Sequence, residues 1–484
     1  MSEIPSYRFG PRREGSLFGL ATSQIVTLGV ATTLALVAIL AARNGIVGLG
    51  LLGLGTTAAF LPVAGRAAVT WFGPVAGRLG SPKRGSAPLF TQRLGAKAGI
   101  ARETPRSFER VAWHLPGLSR LTLRSVEMAH GALGIAQFGS AGRGASFTVS
   151  LSGPRFGLVD VDAQTRALSS WGQLLGSVAR SGAELERIEL CERVVPDDLA
   201  GQWAFLESVA TTADRRARAI YRSELDELSG TAVRHEVLLT AVLARGGRHV
   251  EAAAVSACTV LVAQLEAAGF AARPLDLPAL AASLRAGLDP VGVAPLVSFD
   301  DEALLPARHA PRSWRAGWGS ITVDGSIHAC FEATAFPRVP VGPEWAWPLV
   351  LAEHPVVRRT LALHVELQRP EAALRHAERA VVAHESDEAL RSKWGFRSGA
   401  RREQELVAAL SRESELAEGF ADARFVLLVD LAAASEVELT TAARALSSQA
   451  AHGHVELRRL YGRQAQGLVA TLPLGVVRLQ GGWR

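Results

Sequence analysis

The chain has 484 residues, 48% of them apolar, and carries a formal net charge of +6 at pH 7. This length predicts more than one domain. The basic excess lies in the first 100 residues, where ten Lys or Arg residues face only Glu3 and Glu14. The remaining residues are close to neutral in sum, and nucleic-acid binding would require a basic stripe on that part of the chain, so no direct nucleic-acid partner is expected.

An apolar stretch runs from Leu17 to Gly65 and contains a single charged residue, Arg43. About 20 apolar residues suffice to cross a bilayer as a helix. The stretch therefore predicts two transmembrane helices, over residues 17–42 and 45–65, joined by a turn at Arg43-Asn44-Gly45. Two buried core helices and a cleaved signal peptide are the alternatives. A signal peptide is disfavoured because a second apolar span follows at once.

Basic residues flank this predicted hairpin on both sides. Arg8, Arg12 and Arg13 precede it, and six Lys or Arg residues follow it between positions 66 and 97. Short basic flanks remain on the cytoplasmic side of a membrane. We therefore expect a multi-pass protein of the inner (cytoplasmic) membrane, with membrane lipids as a partner and both termini in the cytoplasm.

The segment after the hairpin leaves two possibilities open. Residues 67–80 contain Trp71 between Arg66 and Arg78, which is typical of an interfacial segment, but they could also extend the second helix. Residues 81–105 are rich in Ser, Gly, Pro and basic residues and are predicted to be a linker. The membrane hairpin with its flanks is thus assigned to residues 1–80.

Residues 106–310 alternate between strand and helix patterns. Two strands flank the Gly-rich turn at 139–144, and Asp160 or Asp162 is placed to begin a helix that runs to about Arg180. The other predicted elements are strands at 185–195, 234–243 and 270–274 and a helix at 250–268. This order predicts an α+β domain with helices packed on a largely antiparallel sheet.

Residues 311–484 are predicted to form a second α+β region. Asp324-Gly325 favours a hairpin between strands 321–323 and 327–336, and further strands are expected at 424–431 and 455–460. The Ala-, Glu- and Arg-rich residues 371–418 predict two long helices, either a partner surface or a hairpin packed on its own sheet. Trp314 and Trp318 could form a recognition surface or pack internally. No fixed-period repeat is visible.

The sequence predicts no catalytic, cofactor-binding or metal-binding residue. A P-loop needs a lysine directly after glycine, and none of the three lysines, Lys83, Lys97 and Lys393, meets that condition. The glycines at positions 48, 50, 53 and 55 lie inside an apolar span and are predicted to pack helices instead. No cofactor is expected, and the protein is predicted not to be an enzyme.

Other candidate groups lack the spacing that their chemistry requires. His235-Glu236 and His384-Glu385 have no second histidine at zincin spacing, and the pair at 452 and 454 has no further ligand nearby. Asp197 and Asp198 follow a strand end and are better placed to begin a helix than to act as a catalytic pair. The three cysteines are widely spaced, which favours buried thiols in a reducing compartment.

Several segments carry a family resemblance. The N-terminal YRFGPRREGSLFGLATSQ with its two spans resembles actinobacterial SCO-type integral membrane proteins of conjugation or type IV secretion-like clusters, and the hairpin is similar to PrgI-type membrane components. The later segments resemble the non-ATPase N-terminal half of VirB-type secretion ATPases; they are SFTVSLSGPRFGLVDVDAQTRALSSWGQLL, IELCERVVPDD, VRHEVLLTAVL and VELRRLYGRQAQGLVATLPLG.

Because the ATPase half with its Walker lysine is missing, the resemblance implies membrane anchoring and assembly. The main hypothesis is a non-enzymatic inner-membrane component of a type IV secretion or conjugation machine that docks a separate secretion ATPase and other membrane subunits. One alternative is an accessory membrane subunit of a type VII-like secretion system, a class with two N-terminal spans. Another is a membrane-bound enzyme with an unrecognised site.

Overall fold

The structure is a computed structural model. It describes residues 22–40, 43–63, 66–71, 75, 84–86, 110–139, 144–153, 160–181, 185–197, 199–209, 214–229, 232–244, 249–292, 309–337, 341–350, 357–367, 375, 414 and 423–477. Most of the predicted linker at 81–105, and all but two residues of the long helices predicted at 371–418, lie outside these ranges.

Two apolar helices form the N-terminal part of the described chain. Helix α1 spans Thr22–Leu40 and helix α2 spans Gly45–Phe60. Helix α2 ends at Phe60 rather than near Gly65 because Leu61 precedes Pro62, and a residue before proline is pushed out of the helical region; its ψ is 116°. A short ribbon, β1 (Pro62–Val63) and β2 (Arg66–Ala67), and a 3₁₀ turn at Ala68–Trp71 follow.

The chain after α2 therefore leaves the helical direction. The interpretation of residues 67–80 as a continuation of the second helix is wrong for residues 67–71. Residues 72–74 and 76–80 lie outside the described ranges.

All remaining described strands belong to one 14-stranded sheet, in which each strand pairing is antiparallel. The strand order is β3-β11-β12-β13-β15-β14-β8-β9-β7-β6-β5-β4, with β10 beside β7 and β16 beside β13. The strands are β3 Arg84–Ser86, β4 Arg110–Leu115, β5 Leu118–Met128, β6 Gly131–Phe138, β7 Gly144–Ser152, β8 Leu185–Pro196, β9 Val233–Leu243, β10 Ala271–Pro274, β11 Ser313–Ala316, β12 Ile321–Val323, β13 Ser326–Ala335, β14 Arg358–Leu367, β15 Ala423–Ala433 and β16 Glu456–Arg459.

The described helices after α1 and α2 are α3 Val161–Ser181, α4 Ala200–Ser208, α5 Arg215–Leu228, α6 Val250–Ala267, α7 Leu277–Leu288, α8 Trp347–Val350, α9 Glu436–His452 and α10 Gln464–Val469. Helices α3, α6, α8 and α9 bury their apolar residues on one face of the sheet. Helix α7, helix α10 and residues 470–477 cover the other face, where Cys191 and Leu428 are buried.

Local chemistry explains several element boundaries. The Asp160 carboxylate accepts a hydrogen bond from the backbone N–H of Ala163 (2.6 Å), so the predicted start of α3 is confirmed. The hairpin at Asp324-Gly325 is also confirmed, with Asp324 at φ +48°. Helix α9 begins with a capping box between Ser435 and Glu438 that the sequence interpretation overlooked.

The sheet contains the same arrangement twice. In the first unit, β7-α3-β8-β9-α6-β10 gives the spatial strand order β10-β7-β9-β8; in the second, β13-α8-β14-β15-α9-β16 gives β16-β13-β15-β14. Both are the ferredoxin-like split βαβ arrangement. Strands β9 and β15 each have 11 residues, and β10 and β16 each have four.

The two units join edge to edge through β8 and β14, with Cys191 opposite Ala362. The boundary predicted between 106–310 and 311–484 separates the units along the chain, yet the sheet runs across it without a break. The repeat is a structural one, although no period is visible in the sequence.

The segment that follows each unit crosses onto the other unit. Each segment first contacts its own unit: Arg193 on β8 donates to the carbonyl of Ser283 in α7 (2.6 Å), and His364 on β14 meets the carbonyl of Ala470 (2.7 Å).

The end of α7 then reaches the second unit, where the ring of His328 on β13 lies 2.9 Å from the carbonyl of Leu288. The tail after α10 then reaches the first unit, where Ser146 donates to the carbonyl of Leu474 (2.9 Å). These exchanged contacts bind the two units into one body.

Candidate membrane anchor and its junction with the sheet

Small residues form the contact between α1 and α2. Ala31 and Ala35 of α1 and Gly48 and Ala59 of α2 are buried. A Cβ added at Gly55 would lie 2.2 Å from the Cβ of Ala31, a distance that no real pair of carbon atoms tolerates. Small residues at such a contact let two helices approach closely, which is the usual way helices associate inside a bilayer.

The four glycines of α2 do not share one role. Gly48 and Gly55 face α1, as predicted; a Cβ added at Gly48 would lie 2.5 Å from a side-chain carbon of Ile39. A Cβ added at Gly50 or Gly53 would meet no atom within 4 Å. The prediction of helix packing therefore holds for two of the four positions.

The outer surface of the hairpin is apolar. Of the 24 large apolar side chains that are exposed in the described part of the chain, 14 lie between Val26 and Leu61. Leu40, Ile46 and Leu54 are each at least 70% exposed. Soluble monomers rarely expose a contiguous apolar patch of this extent, so the surface indicates a lipid or protein partner.

Polar groups of the hairpin find partners within it. The hydroxyls of Thr33, Thr56 and Thr57 each donate to the carbonyl four residues earlier, at 2.8–2.9 Å. The Gln24 amide donates to the carbonyl of Ala59 (2.9 Å), and the Asn44 side chain accepts from the N–H of Val47 (3.2 Å). Internal satisfaction of this kind is what a hydrocarbon environment demands.

Length alone does not establish that these helices cross a membrane. Among the described residues, one helix, Val250–Ala267 (α6), is both long and apolar enough to do so, and it packs with six buried residues against the sheet. The apolar segments of the hairpin are shorter, at 17 residues for Gln24–Leu40 and 16 for Gly45–Phe60. The predicted multi-pass topology remains a proposal.

Aromatic rings connect the anchor to the sheet. Trp71, at the end of the 3₁₀ turn, stacks on Trp318 with ring centroids 5.9 Å apart and planes at 25°. Trp318 in turn stacks on Tyr461 (6.4 Å, 26°), and Trp71 lies 6.1 Å from Tyr461. These distances suit offset stacking. We call Trp71, Trp318 and Tyr461 the aromatic junction.

Neighbouring groups hold the aromatic junction in place. The Arg459 guanidinium lies 5.9 Å from the Tyr461 ring centroid and donates to the carbonyl of Gly319 (2.6 Å). The backbone N–H of Gly462 donates to the carbonyl of Trp318 (2.7 Å). Strand β3, which follows the anchor in the chain, pairs with β11 beside Trp314, so a second contact ties the two parts together.

Part of the aromatic junction is predictable from the sequence. Trp71 was predicted to lie in an interfacial segment, and Trp318 was considered for a recognition surface; the structure brings them together, with Trp318 still 42% exposed. Trp314 packs against the buried core instead. Tyr461 was not among the predicted residues. Its position between Arg459 and Gly462, in a turn after a predicted strand, is the signal that could have indicated it.

His235 and Asp197, two of the other groups considered from the sequence, have structural roles, whereas Asp198, His384 and Glu385 lie outside the described residues. The His235 ring lies 2.6 Å from the Glu192 carboxylate, and the Asp197 carboxylate accepts from the N–H of Leu199 where α4 begins. Within the described residues, no cluster of three or more His, Cys, Asp or Glu side chains is placed to hold a metal ion. All three cysteines are buried free thiols, as expected.

Buried titratable groups line the face of the sheet under the exchanged tails. Burial raises the pKa of the Glu189 carboxyl well above its ordinary value, and burial lowers the pKa of His364 to about 4. His364 Nε2 lies 4.0 Å from the Glu189 carboxylate, and each shift favours the neutral form of its group. Neither group lies in an open cleft, so this pair supports packing rather than catalysis.

A second buried pair lies in the second unit. His328 Nδ1 is 2.7 Å from the Asp430 carboxylate, and Nε2 is 2.9 Å from the carbonyl of Leu288. Burial alone lowers the pKa of His328, but Asp430 and the carbonyl outweigh burial and raise it above the ordinary value. Both ring nitrogens face acceptors, which favours the doubly protonated imidazolium.

One comparison with known protein families gives a match. Residues 232–333 are similar to the family described as type VII ESX secretion system translocon, EccE. The matched segment covers about a fifth of the chain and runs from β9 through α6, β10 and α7 into β13, across the boundary between the two units. No curated protein matches the chain.

The matched segment indicates a component of a membrane-associated secretion system. It favours the type VII alternative over the type IV and conjugation hypothesis, which gains no support from it. The PrgI-type and VirB-type resemblances likewise find no counterpart in the match.

Proposed function

We propose that this protein is a non-enzymatic accessory membrane subunit of a type VII-like secretion system. The observation that carries the proposal is the similarity of residues 232–333 to the EccE family. That segment contains β9 and β10 of the first ferredoxin-like unit and most of β13 of the second, so the similarity includes strands of both units. In this role the double sheet is a docking body for the other membrane subunits and for a separate secretion ATPase.

The helical hairpin is the proposed anchor in the inner membrane. Its apolar outer surface, its contact of small residues and its internally bonded hydroxyls support insertion into lipid. Helix α2, with 16 residues, is roughly 24 Å long, so a full crossing requires the bilayer to thin locally or flanking apolar residues to continue the span. Both termini are proposed to be cytoplasmic.

The aromatic junction is proposed to lie at the membrane surface. Tryptophan and tyrosine prefer the interfacial zone, where the ring contacts apolar chains and the polar atom reaches water. Because Trp71 leaves the anchor and stacks on Trp318 of the sheet, the face that carries the β11–β12 turn is the one turned toward the bilayer.

Cross-linking in native membranes tests the assignment to a secretion system. The full-length tagged chain is cross-linked, solubilised and purified, and its partners are identified by mass spectrometry. We expect the ATPase and channel subunits of a type VII system. Recovery of a VirB-type ATPase with conjugation subunits, or of no secretion subunit in repeated preparations, contradicts the proposal.

Two glycine variants test the anchor with a matched control. Gly55→Leu places a large side chain against Ala31 and should separate α1 from α2, whereas Gly50→Leu adds the same side chain where no atom lies within 4 Å. We expect Gly50→Leu to remain in the alkali-resistant membrane fraction at the wild-type level and Gly55→Leu to fall below it. Equal extraction of the wild-type chain and a chain lacking residues 22–60 refutes the anchor.

Reporter fusions test the orientation separately. A fusion at residue 44 should report the outer side of the membrane, and one at residue 100 should report the cytoplasm. The reverse pattern, or the same side for both fusions, contradicts the proposed crossing without affecting the secretion-system assignment.

A further inference from the structure

Helices α4 and α5 form an insertion between β8 and β9 that projects from the first unit. A small apolar cluster of Leu199, Leu206 and Leu225 holds it, with Trp203 and Ala232 packed alongside. Leu225 is the one buried residue of α5. Nearly the whole surface of this 14-residue helix is therefore available to a partner in the described part of the chain.

The charges of α5 are separated along its length. Its first eight residues contain four arginines, and its last five contain three acidic residues. The first turn has no acidic residue, and the last turn has no basic one. This order opposes the helix macrodipole, which favours negative charge at the N-terminus and positive charge at the C-terminus. At the N-terminus only the capping Asp214, whose carboxylate accepts from the N–H of Arg216 (3.0 Å), follows the macrodipole, and the four arginines do not.

One exposed stripe of α5 has the spacing of a helix–helix contact. Arg216, Ile220, Ser223 and Glu227 follow each other at intervals of four, three and four residues, on the side away from Leu225. Ile220 is 56% exposed, an apolar residue at the centre of a charged stripe. The basic residue stands at one end of the stripe and the acidic residue at the other.

The occupant that satisfies this pattern is a second copy of the same helix in the opposite direction. Antiparallel pairing places Arg216 opposite Glu227 of the other copy at both ends of the contact, and places each Ile220 opposite Ser223 of the other copy near the middle. It also sets the two macrodipoles antiparallel, with the positive end of each beside the negative end of the other. A contact that is complementary to itself in this way is the mark of an isologous two-fold interface.

We propose that α5 pairs antiparallel with α5 of a second copy of this chain, about a two-fold axis between Ile220 and Ser223. The inference rests on the residues of α5 alone and does not depend on the secretion-system assignment or on the membrane anchor. A basic or acidic helix of another protein would match half of the stripe and leave the other half opposed by like charge.

Cysteine cross-linking of the full-length chain in membranes tests the antiparallel geometry. Arg216→Cys and Glu227→Cys are made separately, on copies with tags of different size, and the copies are co-expressed and treated with a short bifunctional maleimide. The native cysteines are buried, so they contribute little background. We expect a mixed-tag dimer from the pair.

The same experiment contains its own control. Two copies of residue 216 lie 11 residues apart along an antiparallel pair, which is roughly 16 Å of helix. Arg216→Cys alone should therefore give little dimer. Equal yields from Arg216→Cys alone and from the mixed pair, no dimer at all, an intrachain product, or an adduct with a different protein each overturns the proposal.

Exchanging the charges of Arg216 and Glu227 provides a second measurement. Because restoration of the dimer by the double exchange is the decisive result, a single variant that fails to fold does not leave the test undecided. Arg216→Glu should lower the yield of an Ile220→Cys dimer about 10-fold, because it replaces attraction by repulsion at two symmetric places, the equivalent of about 1.4 kcal/mol. Adding Glu227→Arg should restore the yield. Arg444→Glu, at an exposed position of α9, is the matched control and should leave the yield unchanged. Failure of the double exchange to restore the dimer contradicts the pairing.

Discussion

The two ferredoxin-like units share a backbone arrangement but fill equivalent places with different chemistry. In the first unit, Thr148 on the first strand and Thr240 on the third share a hydrogen bond of 2.9 Å between their hydroxyls. In the second unit, Cys330 and Asp430 occupy the corresponding strands and are joined at 3.2 Å. One unit thus closes its buried face with neutral hydroxyls, and the other closes it with groups that titrate.

The exchanged tails show the same difference. Ser146 of the first unit donates to Leu474 in the tail of the second, and His328 of the second unit meets Leu288 at the end of α7. At each place a backbone carbonyl of the following segment needs a hydrogen-bond donor from the sheet, and the geometry of the sheet fixes the position of that donor. It does not fix whether the donor is a hydroxyl or an imidazolium, so the second unit alone couples its first strand to pH.

Removing the charged partner of His328 should give the largest difference in stability between equivalent substitutions in the two units. Asp430→Leu leaves the buried His328 without its counter-charge, and breaking a buried pair in this way costs about 3–5 kcal/mol. Thr240→Val at the corresponding place should cost about 1 kcal/mol, because Thr148 still donates to the carbonyl of Pro473. Urea unfolding of the full-length chain in detergent, followed by fluorescence, measures both.

Similar losses from Asp430→Leu and Thr240→Val would mean that the His328–Asp430 contact carries no charge in the folded protein. Asp430→Asn, which keeps the shape and removes the charge, separates that outcome from a loss of packing.

Acid should weaken the contact between β14 and the segment that follows α10, and spare the corresponding contact between β8 and α7. His364, with a pKa of about 4 when folded and about 6.5 when unfolded, is buried in its neutral form. A lowered folded pKa means that the contribution is complete above pH 6.5 and is lost as the pH falls toward 4, by about 3 kcal/mol in total. The matching contact in the first unit is made by the guanidinium of Arg193, a side-chain type that is not deprotonated in proteins.

We therefore expect the free energy of unfolding of His364→Gln to fall less between pH 6.5 and 4 than that of the wild-type protein. Parallel pH profiles for the two proteins would show that His364 is not the group that titrates.

Raising the pH should weaken the second unit through His328. The folded pKa of His328 lies above its unfolded value, so its contribution is complete below about pH 6.5 and is lost as the pH rises through the folded pKa. One proton gives a slope of at most about 1.4 kcal/mol per pH unit. Glu189 changes stability in the same direction, since its folded pKa is also raised, but it is common to both proteins compared.

His328→Gln removes this titration, so the difference between its pH profile and that of the wild-type protein isolates the His328 term. A constant difference from pH 6 to 9 contradicts the imidazolium assignment.

The sequence revealed the parts of the fold that local chemistry dictates. Asp324-Gly325 predicted its hairpin, and Asp160 predicted the start of α3, because turns and caps depend on a few adjacent residues. The β4–β5 hairpin was missed, although Pro116-Gly117 marks its turn and Gly117 has φ +76°.

The duplication could not be predicted in this way. Corresponding positions such as Thr148 and Cys330 need only a small buried side chain that donates a hydrogen bond, and many residues meet that requirement. The aromatic junction could be predicted only in part for a related reason. Trp71 and Trp318 were each candidates from the sequence, but their contact depends on the path of the chain after Pro62.

The smallest expected effect concerns two buried thiols in different units. Cys330 donates to Asp430, so Cys330→Ser replaces a weak donor by a better one and should change the free energy of unfolding by less than about 1 kcal/mol. Cys258 on α6 lies among apolar side chains of the first unit, and burial alone raises the pKa of its thiol to about 12.

Cys258→Ser therefore places a hydroxyl where the surroundings offer it no side-chain partner, at a cost of about 1–3 kcal/mol, reduced if the hydroxyl donates to the carbonyl one turn earlier. The same substitution should thus be milder in the second unit, whose face is built to accept a donor, than in the helix layer of the first. The reverse order, measured by urea unfolding, would mean that Cys330 is held by packing against Gly467 rather than by its bond to Asp430.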